Sequence, residues 1–116
     1  MFYMEKEEIL EQLEILKDSE IIIVEGVKDK KALGSFGEYN VIILNKPIYV
    51  LCEEISKRYK RAVILTDLDS EGKRLYSKIR ENLERNGVMV DNKFRDFLFR
   101  ETQLRNIEGM KSYVDH

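Results

Sequence analysis

The residues best suited to chemistry fall in two short acidic segments, Glu25-Gly26-Val27-Lys28-Asp29 and Asp67-Leu68-Asp69-Ser70-Glu71-Gly72. Each follows directly on a run of β-branched and aliphatic residues, Ile21 to Val24 and Ala62 to Thr66. In a parallel sheet the carboxyl ends of the strands share one edge, where open α/β folds bind ligands. Glu25, Asp67 and Asp69 are therefore placed to converge on one rim. Carboxylates held that close repel unless something positive lies between them. Mg2+ answers that need, because it takes one or two protein carboxylates and fills its octahedron with water and phosphate oxygens. In extended backbone Asp67 and Asp69 point to the same side, with Leu68 turned the other way into packing. Gly72 lets the chain turn tightly into a helix whose first amides and positive dipole end face the same region. Ser70 is expected to cap that helix and Glu71 to favour its first turn.

The Asp-x-Asp spacing by itself leaves other readings open. Such pairs also arise as helix caps or solvent-facing turn residues, and a strand-terminal aspartate serves equally as a receiver-type phosphoacceptor or a phosphatase nucleophile. Glu25 shifts the balance, since an acid at the end of a buried strand has no evident packing purpose and charges are rarely set against a core without a partner.

The elements that must position these groups follow from apolar spacing. Ile9, Leu10, Leu13 and Leu16 predict an amphipathic helix over 4–17, ended by Asp18 and Ser19. Ile21 to Val24, Val41 to Leu44 and Ala62 to Leu65 are short and rich in aliphatic and β-branched residues, as buried strands are. Asp29 to Leu33 opens a short helix closed by Gly34 and Gly37; Pro47 opens another whose stripe is Ile48, Leu51, Cys52, Ile55 and Tyr59. A third helix spans 71–86 with Leu75, Tyr76, Ile79 and Leu83 inward, Gly87 sits where a left-handed cap is expected, and Val88 to Val90 adds a fourth strand. Beyond it the pattern weakens: Phe94, Phe97, Leu98 and Phe99 read as core, and Ile107, Met110, Tyr113 and Val114 as a terminal helix. The prediction is an α/β, Rossmann-like fold with about four mainly parallel strands and helices on both faces. Residues 1–20 form a helix packed on a domain spanning 21–116.

At 116 residues the chain is expected to be one domain that buries roughly two thirds of its unfolded surface without disulfides. Hydrophobic content of 43% with 36% charged residues excludes a disordered chain. No run of about 18 apolar residues is present and no signal segment opens the chain, so a cytoplasmic protein that does not enter a membrane is expected. The net charge of −2 argues against coating duplex DNA by bulk charge. Residues 1–20 nevertheless carry two bases against seven acids, and residues 57–105 carry thirteen bases against eight. These are either two solvated faces or a basic flank that guides a phosphodiester toward the acidic rim.

The two acidic segments together resemble the Toprim domain shared by topoisomerases, bacterial primases, OLD-type nucleases and the ribonuclease that matures the small RNA of the large ribosomal subunit. Its first motif, glutamate-glycine with an aspartate four positions after the glutamate, is matched by Glu25, Gly26 and Asp29, and the Ala-Leu ending of the primase form by Ala32 and Leu33. Its second, Asp-x-Asp-x-x-Gly, is matched by Asp67, Asp69 and Gly72. The likeness spans residues 21 to about 90, and Asn106-Ile107-Glu108 matches a late element of the ribosomal-RNA enzyme only loosely. Three positions depart from the pattern: Lys73 stands where topoisomerases have a glutamate, Leu68 where a proline is frequent, and Lys46 where a glycine is expected.

The resemblance implies Mg2+-dependent phosphotransfer or phosphodiester cleavage on RNA or DNA, with Mn2+ as a substitute ion. Carried over by position, Glu25 moves the proton and shares the metal, while Asp67 and Asp69 hold it. Asp29 is expected to serve the helix start rather than the metal. A nucleophilic-tyrosine domain, zinc cluster or primase N-terminal region does not fit in 116 residues, so a small free-standing Toprim protein is expected, acting as a nuclease or as a binding module for nucleic acid, nucleotide or a partner protein. A receiver-like role gives Glu25 no task.

Lys28, Lys30, Lys31, Lys73 and Arg74 flank the acidic rim, with Lys28, Lys73 and Arg74 the candidate phosphate contacts. Cys52 lies on an apolar stripe and reads as core. The six tyrosines show no pattern of a stacking platform, and His116 ends the chain.

Overall fold

A computed structural model describes the backbone of residues 2–114 and the side chains from residue 6 to 114. Ten elements follow in the order α1 (Phe2–Leu16), β1 (Ile22–Val24), α2 (Val27–Gly34), β2 (Val41–Ile43), α3 (Ile48–Arg58), β3 (Arg61–Ile64), α4 (Ser70–Arg85), β4 (Met89–Val90), α5 (Lys93–Glu101) and α6 (Ile107–Val114). The four strands pair in the order β2-β1-β3-β4, and every pairing is parallel.

β1 and β3 lie inside the sheet, and their β-branched side chains are buried on both faces, as a covered parallel sheet requires. Alternation along each strand divides the core in two. Ile22, Val24, Val63 and Leu65 meet α1, α2, α5 and α6 through Ile9, Leu13, Leu33, Phe94, Leu98 and Met110. Ile23, Ala62 and Ile64 meet α3 and α4 through Leu51, Cys52, Ile55, Ile79 and Leu83. Each fully buried Leu or Ile contributes about 1.5–3 kcal/mol of hydrophobic stabilisation.

The chain steps from β1 outward to β2, then returns past β1 to β3. Right-handed crossovers on opposite sides of β1 put α2 on one face and α3 on the other. The reversal leaves the ends of β1 and β3 side by side with their outgoing loops splayed apart, which is the position where such sheets hold ligands.

Several boundaries differ from those read off the sequence. Leu10 is 43% exposed, so the buried stripe of α1 is Ile9, Leu13 and Leu16. Strand pairing reaches Arg61 at the start of β3, and a separate helix, α5, carries Phe94 and Leu98 into the core. Gly87, with φ +81°, takes the left-handed conformation after α4. Among the described residues no helix is long and apolar enough to cross a membrane.

Candidate metal centre

β1 ends at Val24, so the next residue, Glu25, leaves the sheet at the rim beside the end of β3. Its Oε2 accepts a hydrogen bond of 2.6 Å from the Asp67 N–H, closing the gap between the two strand ends. Asp29, in the first turn of α2, is buried and accepts the Gly26 N–H at 3.2 Å. That is a carboxylate reaching back to an orphan donor at its own helix start. Burial holds its pKa above the ordinary value against this bond, helped by the charges of Glu25 and Glu108.

The second motif is shaped by close packing. Thr66 is fully buried and its hydroxyl donates to the Gly72 carbonyl at 2.7 Å. A Cβ on Gly72 would stand 2.0 Å from the Asp67 carbonyl oxygen. Glycine is required there by the approach of the Asp67 peptide to α4, rather than by a turn. Asp67 lies beyond the last residue of β3, so the pair is set by a loop and not by strand alternation, and Leu68 is half-buried outside the two cores. The cap of α4 is Asp69 in place of Ser70: its Oδ1 accepts the Gly72 N–H at 2.7 Å.

Asp67 is the strained member of the group. Its Oδ1 is buried and, among the described residues, is the side-chain nitrogen or oxygen in that condition with no hydrogen-bond partner. Burial, reinforced by the charges of Glu25, Asp29, Asp69 and Glu108, pushes its pKa up to about 6. A carboxyl raised by desolvation and neighbouring acids, at a sheet switch point, makes this rim the candidate functional site.

The donors on the rim are all hard oxygens, which suits a magnesium-like ion. Among the described residues no three acidic, histidine or cysteine side chains close into a metal cage. Glu25, Asp29 and Asp69 are each turned onto a backbone N–H instead. Mg2+ keeps several waters and needs few protein ligands, and the unpartnered Asp67 Oδ1 is the oxygen on this rim that could serve as one.

Around this rim Lys28 and Lys73 are exposed, in the first turns of α2 and α4, whereas Arg74 gives its guanidinium to Glu71 at 2.6 and 2.9 Å. Three groups at the site carried no clear signal in the sequence. Glu108 comes from α6, which packs against α2 and is capped by Asn106 accepting the Gly109 N–H at 2.6 Å. The Arg105 carbonyl accepts the Leu68 N–H at 2.8 Å. The guanidinium of Arg95 donates to the carbonyls of Thr66 and Asp67.

This fold is that of a known class. Residues 20–97 match the model of the Toprim domain, and the chain belongs to the Toprim family. Toprim domains are metal-binding modules linked to nucleic acids. Its relatives include a UPF0292 protein of Methanocaldococcus jannaschii, 36% identical over 93% of this chain and 88% of the relative. Another, from Thermoplasma volcanium, is 34% identical over 81% of this chain and 82% of its own length. A solved structure described as a putative protein from Aquifex aeolicus superposes with a TM-score of 0.79 at 34% identity, covering 89% of this chain and 95% of that one.

Proposed function

We propose that the protein is a Mg2+-dependent nuclease or phosphotransferase acting on RNA or DNA. The observation that supports this most is Asp67 Oδ1, buried without a partner among four other acids at the β1–β3 switch point. Asp67 and Asp69 would hold Mg2+, or Mn2+ in its place, with Glu25 near enough to share it. When bound, the ion would neutralise charge on a transferring phosphoryl group.

The chain's own residues supply the rest. Glu25 is anchored through Oε2 by the Asp67 N–H, which leaves its other oxygen to take or return the proton of the attacking or leaving oxygen. Lys28 and Lys73 lie at helix starts on either side of the rim, where a phosphate meets their charge together with the positive helix ends. Gly26 is extended at φ −154°, with nothing within 4 Å of the place its Cβ would take, so a substrate backbone can approach closely.

The test is cleavage of end-labelled RNA and DNA across a Mg2+ titration, with Glu25→Gln as control. Metal-dependent cleavage lost in the variant supports the reading, and binding without turnover in the wild type refutes it. One observation favours the second reading, a binding module: Glu25, Asp29 and Asp69 each already hold a backbone N–H, as residues with a purely structural task would.

A further inference from the structure

Arg95 is a charged residue in an unusual place. It is 7% exposed in α5, a helix whose neighbouring Phe94 and Leu98 are core. Burying a guanidinium is costly, and the nearby charges of Asp96, Glu25 and Asp67 offset that only in part. Among the described residues none forms a salt bridge with Arg95. Its donors go to two uncharged main-chain carbonyls, one nitrogen to Thr66 O and the other to Asp67 O at 3.4 Å. The rings of Tyr76, 4.5 Å away, and Phe99, 5.0 Å away, flank the same guanidinium. Tyr76 is itself fixed by donating to Asn92 at 2.5 Å.

An apolar side chain would fill this space more cheaply, so packing does not explain the choice. The position of the donors does. A planar fork resting against two rings is pre-organised to hold two carbonyls at once, which a lysine cannot do. Both carbonyls belong to the turn that carries Asp67. Arg95 grips that turn by its backbone and leaves Asp67 Oδ1 without a partner. A salt bridge to the carboxylate would have consumed the oxygen that a cation needs. The segment following α5 adds a second tie, since Arg105 O accepts the Leu68 N–H. That tie lies beyond the residues matched by the domain model.

We propose that Arg95 is a positioning residue, clamping the Thr66 and Asp67 carbonyls so that the Asp67 and Asp69 carboxylates stay on the rim in the arrangement that accepts a divalent cation. The cation rests on the metal reading above; the clamp itself does not.

The experiment compares the full-length wild type with Arg95→Met and Arg95→Lys by amide hydrogen exchange without metal, and by calorimetric titration with Mn2+. In Arg95→Met the Asp67 and Leu68 amides are expected to exchange at least tenfold faster while Leu65, bonded to Ile23 O in the sheet, keeps its protection. A merely structural role would raise exchange at all three or at none. Mn2+ affinity is expected to fall at least tenfold. Arg95→Lys keeps the charge but not the fork, so it should show the same local acceleration; it decides the matter should the methionine variant not fold. Wild-type exchange at Asp67 and Leu68 in a folded variant overturns the clamp. A wild type that binds no Mn2+ refutes the metal reading, and the exchange data still decide the clamp.

Discussion

Glu25 and Asp67, 42 positions apart in the chain, are joined by a hydrogen bond of 2.6 Å from the Asp67 N–H to Glu25 Oε2. The bond holds one carboxylate against the backbone of another acidic residue, and the Glu25 charge adds to the burial that raises the Asp67 pKa. Glu25→Gln tests the pairing. The amide oxygen can still accept the Asp67 N–H, so the thermal midpoint should stay within a few degrees of the wild type. If Glu25 moves the proton, as the proposed function has it, the variant should lose metal-dependent cleavage by about 10²–10⁴-fold. Thermal unfolding and initial cleavage rates, measured on the same preparation, check both halves.

The pKa of Asp67 fixes a sign for stability. It is about 6 in the folded protein against an ordinary value of 3.8, so the folded state holds the proton more tightly than the unfolded chain. Below pH 4 the protonated form is buried at little cost. As pH rises through 6 the charge appears and its full burden is reached. Without metal the protein should therefore be more stable near pH 5 than at pH 7.5 on account of this group. Asp67→Asn should raise the melting temperature at pH 7.5 by several degrees and flatten the pH dependence, whereas added Mg2+ should stabilise the wild type more than the variant. Scanning calorimetry at the two pH values, with and without Mg2+, reads all of this.

The two motif glycines should respond in opposite ways. Gly72→Ala drives a methyl into the Asp67 carbonyl, 2.0 Å away, and backbone cannot step aside cheaply. A loss of about 1–3 kcal/mol is expected. Gly26→Ala meets open space in extended backbone and should leave stability unchanged within about 1 kcal/mol while impairing substrate binding. Chemical denaturation and nucleic-acid binding assays separate the two effects.

Asp69 caps α4 and, in the proposed function, also holds the metal, and substitution can divide the two. Asparagine is as good a helix cap as aspartate, so Asp69→Asn should keep the bond to the Gly72 N–H and the stability of α4 while weakening Mn2+ binding. Asp69→Ala should lose both, at about 1 kcal/mol for the cap. Denaturation midpoints and titration calorimetry provide the readout.

What could be read from the residues follows a physical division. Ile22 to Val24 and Ala62 to Leu65 announce buried parallel strands because only a sheet covered on both faces accepts consecutive aliphatic and β-branched side chains. The acids that follow them were thereby fixed to one rim. The choice of Asp69 over Ser70 as the cap was not legible, since both types cap well and the loop geometry decides. Gly72 was recognised, but its reason, the pressure of the Asp67 peptide, exists only once β3 and α4 are packed. Arg95 was hidden most completely. In sequence it is one base among thirteen, and nothing local marks a guanidinium whose partners are carbonyls 28 and 29 residues away. Glu108 arrives through the packing of α6 on α2, a contact between elements joined by no short connection.

Whether the unpartnered oxygen of Asp67 receives a divalent cation can be seen in crystals soaked in Mn2+. An anomalous difference peak is expected about 2.0–2.4 Å from Asp67 Oδ1, absent from Asp67→Asn crystals treated alike. Full Mn2+ occupancy elsewhere on the molecule, with none beside Asp67, would contradict it.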